Sequence, residues 1–131
     1  MPDALPSLDD ARARQDALAA LHAAAIDACR NAADACAQRM LRCLGENADA
    51  CVRLAMDGIE IFGATANVVM RRSPYAVSAL ALCETVALGC AHAFERDEAG
   101  DATAHACREC ARACRALRTS VARVRMHGAA A

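Results

Sequence analysis

Cysteine is the residue type in this chain best suited to chemistry, and nine cysteines recur at regular intervals. Cys107, Cys110 and Cys114 lie three and four residues apart, so on an α-helix their side chains share one face. Several other gaps are seven residues, which is two helical turns and returns the thiol to the same stripe. The remaining cysteines are Cys29, Cys36, Cys43, Cys51, Cys83 and Cys90. The spacing therefore predicts thiols on the inward faces of several helices.

Thiols in this arrangement favour soft metal ions. Two cysteines seven residues apart lie about 10.5 Å apart along a helix and cannot share an ion, so a facing helix must supply the partner. Cys110 can share an ion directly with Cys114 or with Cys107. Thiolates without accompanying carboxylates or imidazoles select Cu(I), whereas zinc prefers four ligands in a closed tetrahedron. Cu(I) is the metal ion that we expect the protein to bind.

Other interpretations of the cysteines remain open at the level of sequence. Free cysteine behaves as a small buried hydrophobe, so the chain could be a scaffold or interaction bundle with an inert core. It could also be a thiol-based redox sensor. Two further side chains are candidate ligands: Met40 is either core filler or a thioether ligand, and His105 is either a surface residue or a ligand near the rim of the thiol site.

Composition and charge exclude several classes of function. The formal charge is −1, and all basic residues are arginines, which gives no electrostatic case for nucleic acid or an anionic membrane. The arginines of the last helix indicate a solvated face or an oligomer contact. No grouping of nucleophile, base and orienting residue is visible, nor a glycine-rich phosphate loop, so we do not expect an enzyme.

The N-terminal segment bears on cellular location. It carries acidic residues and shows neither a basic stretch nor an apolar run, and no stretch of about 20 apolar residues follows elsewhere. We therefore expect a cytoplasmic protein. Thiols stay reduced in that compartment, where cysteine-rich sequences point to metal or redox chemistry rather than to disulfides.

Four helices must position these side chains. The apolar rhythm predicts helices at about residues 8–44, 48–71, 74–96 and 102–126, in a single domain spanning 1–131 with frayed tails at 1–7 and 127–131. Ser7 and Asn47 are expected N-caps, Gly45 suits a C-terminal cap, and Ser73 before Pro74 suits the start of the third helix.

Short connections predict an all-α, antiparallel up-down-up-down four-helix bundle with an extended first helix. That extension must bend back or pack on another subunit, which predicts an oligomer. We expect a sulfur-lined upper half at the 1–2 and 3–4 turns and a hydrocarbon-lined lower half. Near the upper turns we expect Cys43, Cys51, Cys90, Cys107 and Cys110. Nearer the middle of the bundle we expect Cys36, Cys83 and Cys114, with Cys29 deepest. The hydrocarbon half is expected to contain Phe62, Thr65, Val69, Leu80 or Ala76, Leu117, Val121 and Val124.

The chain resembles the cysteine-rich four-helix-bundle copper-storage proteins of bacteria over about residues 22–120. The resemblance rests on A-C-R-E-C-A-R-A-C-R in the fourth helix, C-x6-C-x6-C in the first, and R-R-S-P-Y-A opening the third. The resemblance implies a homotetramer of bundles whose core thiolates take up Cu(I). Within the family, this chain is similar to the cytosolic branch. Alternate core positions that the family fills with cysteine hold other residues here, so a small Cu(I) cluster is expected.

The sequence thus predicts a non-enzymatic Cu(I)-binding bundle for storage, buffering or detoxification, with copper ions and further copies of itself as partners. The candidate metal ligands are Cys29, Cys36, Cys43, Cys51, Cys83, Cys90, Cys107, Cys110, Cys114, Met40 and His105.

Overall fold

The computed structural model describes residues 5, 7–46, 48–96 and 101–129, and within them the chain forms four α-helices. They are α1 (Leu8–Gly45), α2 (Asp49–Met70), α3 (Ala76–Phe94) and α4 (Asp101–Ala129). The helices pack in a closed ring in which α1 contacts α2 and α4, and α3 contacts α2 and α4. The predicted all-α four-helix bundle with an extended first helix is confirmed.

The helix ends follow local rules with a few departures from prediction. The Ser7 hydroxyl accepts a hydrogen bond from the Asp10 backbone N–H, as predicted for an N-cap. Gly45, in contrast, belongs to α1 itself, and the C-cap is Glu46. The predicted Asn47 cap lies outside the described residues, as does the turn at 97–100.

The connection between α2 and α3 is a tight turn that ends α2 with a left-handed residue. Arg72 has φ 55°, and the Ser73 N–H donates to the Val68 carbonyl, which is the six-to-one bond of a Schellman cap. The Ser73 hydroxyl accepts from the Tyr75 N–H. Ser73 therefore caps this turn, and α3 begins at Ala76, two residues later than predicted, because the turn takes up Pro74 and Tyr75.

The lengths of the helices leave α1 and α4 extending past the α2–α3 turn. α1 has 38 residues, against 22 in α2 and 19 in α3. The level of the turn is marked by Arg72, whose Nη1 lies 3.2 Å from His22 Nε2. Beyond this level, Leu21 of α1 and Arg123 of α4 line one cleft. The first half of α1 thus runs beside the end of α4.

Most of the hydrocarbon part of the core lies where the sequence predicts it. The side chains that share full burial there are Phe62, Val69, Leu80 and Leu117. Thr65 is also buried, but it lies beside Cys83 rather than in the predicted hydrocarbon half. Val121 is partly buried against this group, but Val124 is 56% exposed, so its predicted core position is wrong. Val124 lies on the part of α4 that extends past α3, where no third helix is present to cover it.

Helix α3 has an apolar exterior as well as an apolar interior. Contrary to the expectation of no apolar stretch of about 20 residues, it is the one described helix that is long and apolar enough to span a membrane, with a mean hydropathy of 1.6. A third of that segment is buried in the bundle. A core helix of a soluble bundle has the same property. Leu82 and Leu88 are each 51% exposed on its outer side.

Candidate metal centre

Four thiols meet in the middle of the bundle, and we call this group the four-thiol cluster. It consists of Cys29 from α1, Cys83 from α3, and Cys110 and Cys114 from α4. The Cys29 sulfur lies 3.7 Å from the sulfurs of Cys83, Cys110 and Cys114, and the Cys83 sulfur lies 3.6 Å from those of Cys110 and Cys114. All four side chains are inaccessible to solvent. An ion at the centre would contact every sulfur and no water.

Three more thiols form a second group one heptad nearer the α1–α2 turn, which we call the three-thiol cluster. Cys36, Cys90 and Cys107 come from α1, α3 and α4, and their sulfurs lie within 4.8 Å of one another. These side chains are also fully buried. Cys107 and Cys110 thus belong to different clusters, and Cys110 lies one layer deeper than the sequence predicts. The predicted level is also wrong for Cys36, which lies with Cys90 rather than with Cys83, and for Cys29, which shares the layer of Cys83.

Helix α2 contributes to both clusters without a thiol. At seven-residue intervals after Cys51, it places Gly58 at the three-thiol cluster and Thr65 at the four-thiol cluster. A Cβ on Gly58 would lie 3.0 Å from Cys36 Sγ and 3.5 Å from Cys90 Sγ. The glycine therefore leaves the space that the sulfurs occupy.

The last two cysteines are paired with each other. A disulfide joins Cys43 of α1 to Cys51 of α2, and their Cα atoms lie 6.0 Å apart, within the usual range for a disulfide. This corrects the expectation that every thiol is reduced. In the disulfide state neither sulfur is a thiolate, so neither can be an anionic ligand. Metal ligation by this pair stays a prediction for the reduced protein.

Comparison with known proteins identifies the family. A family model described as copper storage protein matches residues 18–119, which is most of the chain. The chain belongs to the copper storage protein family. Among solved structures, the Cu(I)-bound copper storage protein BsCsp3 is 25% identical, with a TM-score of 0.70 over 75% of this chain and 98% of that one. None of the curated proteins matches this chain.

Within this family member, hydrogen bonding makes the Cys83 thiol of the four-thiol cluster more acidic than the thiols of Cys110 and Cys114. Hydrogen bonds from Cys110, Cys114 and Cys29 lower the pKa of Cys83 well below its ordinary value, and the Thr65 hydroxyl contributes in the same direction. Hydrogen bonding with Cys114, Cys29 and Cys83 favours the neutral thiol of Cys110 and so raises its pKa. Hydrogen bonding within the cluster therefore favours the thiolate of Cys83 over the thiolates of Cys110 and Cys114.

The three-thiol cluster follows the same pattern. Hydrogen bonds from Cys107 and Cys36 lower the pKa of Cys90 to about 4, against the opposing effect of burial. A hydrogen bond from Cys107 also favours the Cys36 thiolate, but Cys90 and burial outweigh it and raise the pKa of Cys36 to about 12. The pKa of Cys107 is raised because this thiol donates to Cys36 and Cys90. In each cluster, hydrogen bonding thus lowers the pKa of one thiol, Cys83 or Cys90, and favours its thiolate form.

The two auxiliary candidates lie apart from the sulfurs. Met40 is partly buried and packs against the core near the upper end of α1. His105 is exposed on the outer side of α4, where it lines a cleft with Asp27, Asn31 and Glu109. The structure places neither side chain in a thiol cluster, and their role as ligands stays a prediction.

Sequence reasoning missed three residues at the site. Gly58 and Thr65 share the heptad stripe of Cys51, and that spacing was the available signal. Arg39 is only 5% exposed, and its guanidinium lies 5.8 Å from the Phe94 ring centroid. Arg39 and Cys51 line the same cleft, so the buried guanidinium of Arg39 lies near the Cys43–Cys51 disulfide. Arginine is rarely buried, which is why the pattern did not predict it.

Proposed function

We propose that this chain binds Cu(I) through the four-thiol and three-thiol clusters and so stores, buffers or detoxifies copper. The observation that carries the proposal is the convergence of seven buried thiols from three helices on two water-free points. Among the described residues, cysteines are the only metal-binding side chains in the two clusters. Such a donor set selects a soft monovalent ion over hard cations.

The geometry supports uptake of a few ions rather than many. Two clusters lie one heptad apart, which is about 10.5 Å, and hydrocarbon side chains fill the rest of the bundle. Family membership and the likeness to a Cu(I)-bound relative support the choice of metal. In the reduced protein, Cys43 and Cys51 would add a third group, of two thiolates, above the three-thiol cluster. Met40 and His105 would serve as transient ligands for arriving ions.

The remaining parts of the proposal concern setting and assembly. We place the protein in the cytoplasm, where the reducing environment maintains the thiols that Cu(I) needs. Its role is binding rather than catalysis, with neither nucleic acid nor membrane as partner. Self-association through α3 into a tetramer would cover the exposed side chains of Leu82 and Leu88. Few charges oppose such a contact, since Glu84 and His92 are the only ionisable side chains of α3 besides its thiols.

Anaerobic titration of the reduced protein with Cu(I), against a competing chelator, tests the proposal. Wild type is expected to retain several ions per chain. The double variants C29S/C114S and C36S/C107S, each disabling one cluster, are expected to lose separate portions of the capacity. The triple variant C107S/C110S/C114S, which disables both clusters, should lose most of it while circular dichroism remains helical. A fully reduced protein that takes up no Cu(I) would support the scaffold interpretation.

One observation favours a second candidate function, which is thiol-based redox sensing. The Cys43–Cys51 disulfide supports this candidate, because it places one pair of cysteines within bonding distance of each other. A redox sensor would form this disulfide reversibly with glutathione disulfide as oxidant and would take up no metal in either state. Thiol counting after oxidation, run beside the Cu(I) titration, separates the two functions.

A further inference from the structure

The four-thiol cluster has a shape that the three-thiol cluster lacks. Four sulfurs define six distances, and five of them are 3.6 or 3.7 Å. The sixth, between Cys110 and Cys114, is within 4.8 Å. Five nearly equal edges and a sixth of at most 4.8 Å place the four sulfurs at the corners of a tetrahedron.

The size of this tetrahedron matches a particular class of ion. With Zn–S bonds of about 2.3 Å, tetrahedral coordination places sulfurs about 3.8 Å apart. The same bond length in a trigonal-planar site would separate them by about 4.0 Å, and in a linear site by about 4.6 Å. The observed edges of 3.6 and 3.7 Å are nearest to the tetrahedral value. Little movement of the helices is needed to bring all four sulfurs to bonding distance.

We infer that Cys29, Cys83, Cys110 and Cys114 form a preorganised tetrahedral tetrathiolate site that takes one divalent ion of the Zn²⁺ class. Binding replaces each S–H bond that the cluster holds by a metal–sulfur bond and releases the corresponding protons, with no change in oxidation state. The site links α1, α3 and α4, and complete burial gives it the closed character of a structural zinc site.

The three-thiol cluster is a natural control because it lacks a fourth ligand. Gly58 occupies the facing position on α2, and a side chain there would collide with the sulfur of Cys36. Cys36 and Cys29 are both fully buried on α1, seven residues apart, so serine at either position makes a comparable change in packing. Only the change at Cys29 removes a corner of the tetrahedron.

This inference uses a cluster assigned to Cu(I) above, but it does not require that copper be the biological cargo. It adds that a divalent ion and Cu(I) compete for the four-thiol cluster and not for the three-thiol cluster. Zinc in the deeper cluster would fix three helices together, while the upper cluster stays available for Cu(I).

The test is anaerobic titration of the reduced full-length protein with Co²⁺ as the spectroscopic probe, followed by displacement with Zn²⁺. We expect one Co²⁺ per chain, with thiolate-to-metal charge transfer and the intense visible bands of tetrahedral coordination, and displacement by one equivalent of Zn²⁺. C29S is expected to weaken binding by more than about 100-fold, and C36S to leave it within about twofold. Zn²⁺ should raise the melting temperature of wild type and C36S but not of C29S.

Three outcomes would overturn the inference: the absence of a tetrahedral thiolate spectrum, unchanged binding in C29S, or equal losses in C29S and C36S. If circular dichroism shows that C29S does not fold, C29A replaces it. Cu(I) titration of the same samples distinguishes the two claims. Cu(I) uptake without a divalent site would overturn this inference alone, whereas a divalent site without Cu(I) uptake would overturn the proposed function alone.

Discussion

Gly58 of α2 faces Cys36 of α1 so closely that a Cβ on the glycine would lie 3.0 Å from the sulfur. The same Cβ would lie 3.1 Å from the Phe62 ring. Contacts of this kind are tighter than ordinary van der Waals separation, so the glycine is required by the thiol that faces it. The relationship shows how a helix with no free thiol still shapes a sulfur cluster.

The first prediction concerns this contact. G58A should displace the sulfur of Cys36 or the ring of Phe62, because the new methyl group would lie only 3.0 and 3.1 Å from them. We expect weaker Cu(I) retention by the three-thiol cluster and a net loss of about 1 kcal/mol in the free energy of unfolding, since overpacking costs about 1–3 kcal/mol and removing a helical glycine returns about 0.5–1 kcal/mol. Chemical denaturation measures the stability.

The matched control is G63A, on the same helix. A Cβ there would have no neighbour within 4 Å, so only the helix-propensity gain of about 0.5–1 kcal/mol is expected. Equal stabilisation by both alanine variants would show that Gly58 is not packed against the sulfurs as described.

The second prediction is the pH dependence of Cu(I) binding by the three-thiol cluster. At neutral pH Cys90 is already ionised, since its pKa is about 4, while Cys36, with a pKa of about 12, and Cys107 hold their protons. Binding by all three sulfurs therefore releases two protons. Affinity should fall about 100-fold for each pH unit of acidification between about pH 5 and 8.

This dependence is measured by chelator competition in C29S/C114S, which isolates the three-thiol cluster. A fall of about 1,000-fold per unit would mean that Cys90 also carries a proton at neutral pH. Without metal, the lowered pKa of Cys90 also stabilises the fold. This contribution is complete at a pH above the ordinary thiol pKa and is lost as the pH falls toward 4.

The third prediction locates the source of stability in the hydrocarbon half. Leu117 is fully buried on α4, so L117A should reduce the free energy of unfolding by about 2–5 kcal/mol. Leu82, half-exposed on α3, provides the control, and L82A should change the stability of the monomer by less than about 1 kcal/mol. Similar losses in both variants would contradict the assignment of the core.

The fourth prediction concerns the left-handed residue at the end of α2. Arg72 has φ 55°, which costs a residue with a Cβ about 1–2 kcal/mol. R72G should therefore raise the melting temperature, even though it removes the contact with His22, because that contact is exposed. R71G, at the preceding right-handed position, should lower it. If both variants lower the melting temperature, the cap does not have the described geometry.

The sequence predicts the helices and the inward direction of the cysteines because both depend on periodicity within one helix. The assignment of cysteines to layers depends on the register between helices, which turn lengths and core packing set. Cys110 illustrates the difference, since spacing alone allows it to pair with Cys107 or with Cys114, and the structure groups it with Cys114. The Cys43–Cys51 disulfide was missed for a different reason, because the prediction relied on the expected compartment rather than on distance.

Anomalous diffraction at the copper edge, on crystals of the Cu(I)-loaded reduced protein, tests the central claim most directly. The account predicts strong peaks among the sulfurs of Cys29, Cys83, Cys110 and Cys114, and separate peaks among those of Cys36, Cys90 and Cys107. Copper found only at the surface, or absent from both clusters after saturation, would contradict it.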